Sequence, residues 1–369
     1  MTQNLSIMIA QLEFKVGDIS HNSNKILHHY QLASDVDLII FPELALTGYN
    51  IKDMAELKIF QENSQTAMIM LAQATKNNKC TMLVGSIYKQ GNDLYNAAFH
   101  LAQGEIVQII TKRHLPNNAV FDESRIFSPG TQAKHITIGD TKIGVAICED
   151  VWHDDVTDDL IENGAEIIIA INASPFEIDK LTLRADIIKQ QVRKHHIPFV
   201  YVNSIGGQDE LVFDGGSFVI EANGEKTFAL ACFQEQSQLL SLRKTDSNWH
   251  SNALNQLKFP SRNEQMYQAA VLALKSYVQN NNFSGVILGL SGGIDSSLTA
   301  AIAVDALGSH SVRGVLMPSP YTTTTSIDDA LTLAATLAIQ TETISIDELM
   351  LATKNSLAQS FAGYEDDIT

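Results

Sequence analysis

The sequence predicts two α/β units in series, a layered α/β domain over 1–244 and a doubly wound parallel sheet over 264–369. Three observations predict this. First, short apolar, mostly β-branched runs at 5–10, 38–41, 82–85, 143–147, 167–171 and 199–202 read as strands, and amphipathic patterns at 23–33, 65–77 and 181–195 read as helices. Second, from 245 to 263 the composition shifts to Ser, Asn, Gln, Lys and Pro260, which marks a linker. Third, the chain beyond it alternates helix 264–279, a strand from Val286, a helix from about Ser296, strand 312–316, helix 327–337 and strand 341–344. That rhythm fits a doubly wound parallel sheet. Within the first unit, Asp214-Gly215 and Asn223-Gly224 mark hairpins.

Composition narrows the function classes. The apolar fraction is 45% and the charged fraction 18%, a globular balance. A length of 369 residues suffices for two cores. The net charge of −17 argues against a nucleic-acid or membrane-surface partner. The three cysteines, Cys80, Cys148 and Cys232, are irregularly spaced and give neither a disulfide framework nor a zinc pattern. Residues 1–10 lack the basic stretch and long apolar core of a signal peptide, so the expected location is the cytoplasm.

The most telling stretch is Val286-Ile-Leu-Gly-Leu-Ser-Gly-Gly-Ile-Asp-Ser-Ser297. A buried strand opens into glycines that let backbone N–H groups crowd around an anion. A helix follows, and its positive N-terminus faces the same spot. The motif lacks the Gly-Lys-Ser/Thr of a Walker loop. It resembles the pyrophosphate loop of the ATP pyrophosphatases, which adenylate a carboxyl or carbonyl oxygen. The plain alternative is a glycine turn in an ordinary βα unit.

Three patches carry chemistry in the first unit. Phe41-Pro-Glu-Leu44 delivers Glu43 at a strand end, Thr111-Lys-Arg-His114 supplies Lys112, and Gly144-Val-Ala-Ile-Cys-Glu-Asp150 ends a strand on Cys148. A thiolate attacks carbonyl carbon well, needs a base for its proton and needs a positive group for the oxyanion. Lys112 beside it is expected to hold the thiol pKa down. Singly, each patch reads as well as a core cysteine, a solvated cap or a basic face. In this order they resemble the Glu–Lys–Cys triad of the nitrilase superfamily. That resemblance covers about 3–240 and implies an αββα sandwich, with Glu43 as base, Lys112 as stabiliser of the tetrahedral intermediate and Cys148 as nucleophile. It also places a second carboxylate from Asp122-Glu123 near the triad.

A nitrilase-type unit followed by a pyrophosphatase-type loop is similar to the glutamine-dependent NAD synthetase family. Leu115-Pro-Asn117, Asn172-Ala-Ser-Pro-Phe176 and Met317-Pro-Ser-Pro-Tyr321 add to the likeness. The resemblance implies a carbon–nitrogen ligase in which glutamine supplies ammonia to amidate ATP-adenylated deamido-NAD. It assigns glutamine contacts to Asn118, Ser174 and Lys180. It assigns ATP to Gly289, Leu290, Ser291, Gly292, Gly293, Ile294, Asp295 and Ser296, with Asp295 also on Mg²⁺, and a homo-oligomer is expected. Asn118 stands where the family usually has a glutamine-contacting tyrosine, and 50–53 replaces a Pro-Pro-Glu-Asp stretch. With about three strands after 264 and a loop-like ending, the synthetase unit is expected to be incomplete, and this polypeptide alone to give no net NAD synthesis. A stand-alone amidase with a vestigial second unit, and a non-catalytic partner pairing through a sheet edge at 341–344, are the alternatives.

Overall fold

The computed structural model describes residues 3–117, 120–246, 248–251 and 259–364. The chain divides into two compact units between Ala269 and Ala270, within the helix Arg262–Asn280.

The first unit holds two large sheets. One has seven strands in the order Asn248–Ser251, Gln236–Thr245, Gln3–Gln11, Leu38–Ile40, Thr81–Gln90, Asp93–Ala102 and Glu105–Thr111. The other has six, in the order Lys226–Ala229, Phe218–Ile220, Phe199–Asn203, Ile167–Asn172, Thr141–Ile147 and His135–Ile138. The central strands of the second sheet run parallel, Thr141–Ile147 beside Ile167–Asn172 beside Phe199–Asn203.

Side-chain alternation sets the layers. Leu5, Ile7 and Ile9 pack with Ile167, Ile169 and Ile171 in a core between the sheets. The opposite faces turn to helices. Ile39, Met82 and Val84 meet Ile26, Tyr30, Met68 and Leu71 of helices Ile19–Leu32 and Lys58–Ala74. Ile168 and Ala170 meet Val156, Leu160, Ile188 and Val192 of helices Asp154–Glu162 and Lys180–His195. The result is an αββα sandwich. Strands buried on both faces read as unbroken apolar runs, which is why Ile167–Asn172 was conspicuous in the sequence.

Several elements differ from the sequence reading. Helices begin earlier than the sequence reading places them, at Ile19 and Lys58. Asp93–Ala102 and Glu105–Thr111 extend 82–85 into a meander whose turns use Gly91 and Gly104, with Ser86, Asn96 and His100 buried among the apolar residues. Asp214-Gly215 does not turn a hairpin. The strands Ile205–Gln208 and Leu211–Asp214 turn at Asp209-Glu210, and Asp214 closes the second of them. Asn223-Gly224 does join the paired strands Phe218–Ile220 and Lys226–Ala229. The stretch 245–263 is not linker throughout. Asn248–Ser251 pairs with Leu242–Thr245, and Trp249 is buried with Nε1 donating to Glu166 Oε2 at 3.2 Å.

The second unit has a three-stranded parallel sheet in the order Val286–Gly289, Val312–Leu316, Gln340–Thr343. Its core joins Leu290, Val312 and Leu316 to Ala300 and Ala303 of helix Ile294–Leu307 and Ala330 and Ala334 of helix Thr324–Thr336. A helix at Asp347–Leu357, unforeseen from the sequence, follows the last strand. Among the described residues no helix is long and apolar enough to cross a membrane.

Candidate active sites

Glu43 follows Leu38–Ile40, Lys112 follows Glu105–Thr111, and Cys148 follows Thr141–Ile147. Two strand ends of one sheet and one of the other therefore deliver the three residues. Gly85 makes room for the Glu43 loop, since a Cβ there would lie 2.4 Å from Pro42 O and Leu44 N. Cys148 has a left-handed backbone, φ 47°, a conformation that non-glycine residues rarely adopt. Asp150 braces this turn. Its Oδ2 accepts from Ile147 N at 3.1 Å, and its Oδ1 accepts from Arg113 N at 3.0 Å and His114 N at 2.9 Å. One buried carboxylate thus ties the segment after Lys112 to the residue before Cys148.

Lys112 Nζ donates to Glu43 Oε1 at 2.7 Å and to Glu123 Oε1 at 2.9 Å. Glu43 Oε1 also accepts from Asn96 Nδ2 at 2.7 Å, and Oε2 from Ala173 N at 2.8 Å. Tyr49 OH donates to Glu123 Oε1 at 2.9 Å. Lys112 is 0% exposed, Glu43 1% and Cys148 6%. Asp122 is absent from this cluster and pairs with Arg125 on the surface, so Glu123 is the second carboxylate.

Electrostatics correct one expectation. Burial, then the charge of Glu43, pushes the Cys148 thiol well above its ordinary value, and Lys112 only partly offsets them. Burial works against the Lys112 charge too, but Glu123 and Glu43 hold the ammonium well above an ordinary lysine. Burial raises Glu123, with Lys112 opposing and Glu43 adding to the rise. The resting cluster is therefore a protonated thiol beside a lysine ammonium and its acidic neighbours. A cavity of about 20 Å³ beside Glu43, lined also by Tyr49, Gly206 and Phe213, has room for one water-sized molecule.

Of the expected glutamine contacts, Ser174 and Lys180 lie among the described residues. Ser174 adjoins Ala173, whose N–H reaches Glu43; Ser174 Oγ accepts from Arg184 Nε at 3.0 Å. Lys180 pairs with Glu177 at 2.6 Å and lies 5.9 Å from the Phe121 ring centre. Asn118 lies outside the described residues. Arg184 has both side-chain ends engaged, with Nη1 on Asp214 Oδ1 at 2.7 Å and Nη2 on Ser174 O at 2.8 Å, so it braces the loop and has no free face for a ligand.

In the second unit the backbone turns at Gly292, φ 78°, and a Cβ there would lie 2.3 Å from Ser326 O. Gly293 caps helix Ile294–Leu307. Ser291 Oγ and Ser296 Oγ lie 3.0 Å apart, and Gly293 N donates to Ser291 Oγ at 3.2 Å. The helix start thus gathers hydroxyls and N–H groups where an anion binds well. Asp295 is exposed in the first turn, while Leu290 is buried in the unit's core. A cavity of about 500 Å³ is lined by Gly289, Leu290, Ser291, Met317, Pro318, Tyr321 and Ser326, a volume suited to a nucleotide.

Residues 6–241 match the carbon-nitrogen hydrolase family model, and 266–367 match the NAD synthase model. The glutamine-dependent NAD(+) synthetase of Rhodobacter capsulatus is 37% identical over 100% of this chain and 67% of that protein. The chain belongs to the glutamine-dependent NAD(+) synthetase family. The Thermotoga maritima member is also 37% identical, over 100% of this chain and 69% of its own length. A solved structure of the Acinetobacter baumannii enzyme in complex with ADP matches with a TM-score of 0.93 at 32% identity, covering 99% of this chain and 69% of that one.

Sequence reasoning missed Asn96 and Tyr49, which hold Glu43 and Glu123, and the Arg184–Asp214 brace. For Asn96 the signal was a polar residue inside an apolar strand pattern, and nothing in it names a partner far along the chain.

Proposed function

We propose that this chain carries the glutaminase unit and the ATP-binding part of a glutamine-dependent NAD synthetase, with glutamine hydrolysed in the first unit and ATP bound in the second. The observation that carries the reading is the buried Glu43–Lys112 contact of 2.7 Å, in electrostatic reach of Cys148, in the same chain as the Ser291–Ser296 loop.

In the first unit Cys148 Sγ attacks the side-chain amide carbon of glutamine while its proton passes to Glu43. The oxyanion forms against the Lys112 ammonium, which is already fixed and dry. Glu43 returns the proton to the leaving nitrogen, and ammonia departs from a thioester. Water then gives up a proton to Glu43 and attacks the thioester carbon, releasing glutamate and restoring the thiol. Ser174 adjoins Ala173, whose N–H reaches Glu43, and we assign it, with Lys180 and Asn118, to glutamine binding.

In the second unit the deamido-NAD carboxylate attacks the α-phosphorus of ATP and expels pyrophosphate. Ammonia then displaces AMP to form the amide. The N–H groups and hydroxyls from Gly289 to Ser296 cradle the phosphates. Asp295 offers a hard, exposed carboxylate oxygen beside that cradle, a donor of the kind that would hold Mg²⁺. When bound, the ion neutralises phosphate charge. A cytoplasmic setting and a homo-oligomer complete the proposal.

The test is glutamate release from glutamine by the chain and by Cys148→Ala. Release that disappears in the variant supports the reading, whereas equal release by both refutes Cys148 as nucleophile. Release that depends on Cys148 without any ATP binding by the chain would favour the stand-alone amidase.

A further inference from the structure

We infer that Asn96 is a positioning residue for the glutaminase reaction, holding Glu43 through Oε1 so that the Cys148 proton is received on Oε2. The inference rests on the glutaminase reading of the first unit. Asn96 lies on strand Asp93–Ala102 and is 1% exposed. Its Nδ2 donates to Glu43 Oε1 at 2.7 Å, and its backbone oxygen accepts from Lys112 N at 2.9 Å. One residue therefore grips the base by its side chain and the cation-bearing residue by its backbone.

The donor count fixes where the proton goes. A carboxylate oxygen has two lone pairs. Asn96 Nδ2 and Lys112 Nζ occupy both on Oε1, while Ala173 N uses one of the two on Oε2. The remaining lone pair on Oε2 is the acceptor. Without the Asn96 donor, Oε1 regains a free lone pair, the carboxylate can rotate, and its charged form loses a hydrogen bond. The charged and titratable groups acting on Glu43 and its neighbours are Lys112, Glu123, Tyr49 and Cys148, with Glu149 acting on Cys148.

The experiment compares Asn96→Leu, similar in shape without the donor, with Asn96→Asp, which sets a like charge against Glu43. The acidic limb of glutamate release against pH should move upward by roughly one pH unit in Asn96→Leu. It should move further in Asn96→Asp. The value of kcat should fall at least about tenfold, with KM for glutamine within about threefold. A second readout needs no turnover: the infrared band of the protonated Glu43 carboxyl, assigned by its loss in Glu43→Gln, should titrate at higher pH in the same variants. Loss of activity in folded Asn96→Leu with an unmoved limb and an unmoved band overturns the inference and leaves Asn96 merely structural. If Asn96→Leu does not fold, the band in Asn96→Asp decides. A wild-type chain that releases no glutamate sinks the glutaminase reading, while the infrared titration still decides whether Asn96 controls Glu43.

Discussion

Lys112→Met separates the structural role of the central lysine from its chemical one. The substitution keeps chain length and apolar stem but removes the ammonium that bridges Glu43 at 2.7 Å and Glu123 at 2.8 Å. Both carboxylates are almost fully buried, so each is left without that counter-charge. Breaking a buried pair in this way costs about 3–5 kcal/mol. For a unit of this size that lowers Tm by roughly 6–20 °C. The sign with pH follows from linkage. A folded carboxyl pushed upward binds its proton more tightly than the unfolded one, so its stabilising effect is complete at low pH and is lost as pH rises through the folded value. The deficit of Lys112→Met should therefore be larger at pH 8 than at pH 5. Adding Glu123→Gln removes one of the two uncompensated charges and should recover a large share of the lost Tm. It should not recover glutamate release, which loses the oxyanion partner and falls about 10²- to 10³-fold in both variants. Thermal unfolding and glutamate release at several pH values measure both halves. If the double variant regained activity together with stability, Lys112 would be only a scaffold and the oxyanion role would be refuted.

Gly292→Ala places a Cβ 2.3 Å from Ser326 O at φ 78°, where an L-residue also carries left-handed strain of about 1–2 kcal/mol. ATP affinity measured by calorimetry should drop by at least about tenfold, and unchanged affinity would exclude this turn from the phosphate site. His100 is buried with Nε2 unpartnered, and burial pushes its imidazole down to about 4. The unfolded chain takes up the proton near pH 6.5, so stability is full above that value and declines as pH falls through about 4, by roughly 3 kcal/mol. His100→Phe should flatten the fall in Tm between those two pH values, and an identical slope would show that His100 is not the titrating group.

Glu43 and Cys148 stood out because each follows an apolar run that reads as a strand. Lys112 follows Glu105–Thr111, a half-exposed strand absent from the sequence reading, and stood out only through its basic patch. The layered α/β character was also legible, since the same runs demand cover on two sides, while the αββα order came from the family resemblance. What the sequence concealed depends on contacts between distant segments. Asn96 and Glu43 are neighbours only because strands Thr81–Gln90 and Asp93–Ala102 extend the meander past the Glu43 loop. A buried Asn in an alternating strand carries no mark of its partner. The thiol's protonation was misread for a related reason. Adjacency to Lys112 suggested a lowered value, but burial outweighs one cation already shared by two carboxylates. Trp249 shows the complementary failure. Polar composition around 245–263 reads as linker, yet one indole and a hydrogen bond to Glu166 seat Asn248–Ser251 in the sheet.

The charge balance of the first site bears on how the proposed reaction starts. One ammonium lies between two carboxylates in a space that water barely reaches. A resting thiolate would add another negative charge there, and desolvation makes that expensive. Transfer of the Cys148 proton to Glu43 avoids the addition, because the base is neutralised as sulfur becomes charged. Attack then moves the negative charge from sulfur to the amide oxygen, against Lys112. Return of the proton to nitrogen restores the carboxylate as ammonia leaves. Each step relocates one charge within a fixed set of donors and creates none, so the buried cluster need not reorganise as the reaction proceeds. The same logic makes the site inert without a substrate carbonyl. With nowhere for the charge to go after sulfur, the thiol form is favoured, and on the proposed mechanism the nucleophile forms once glutamine is in place.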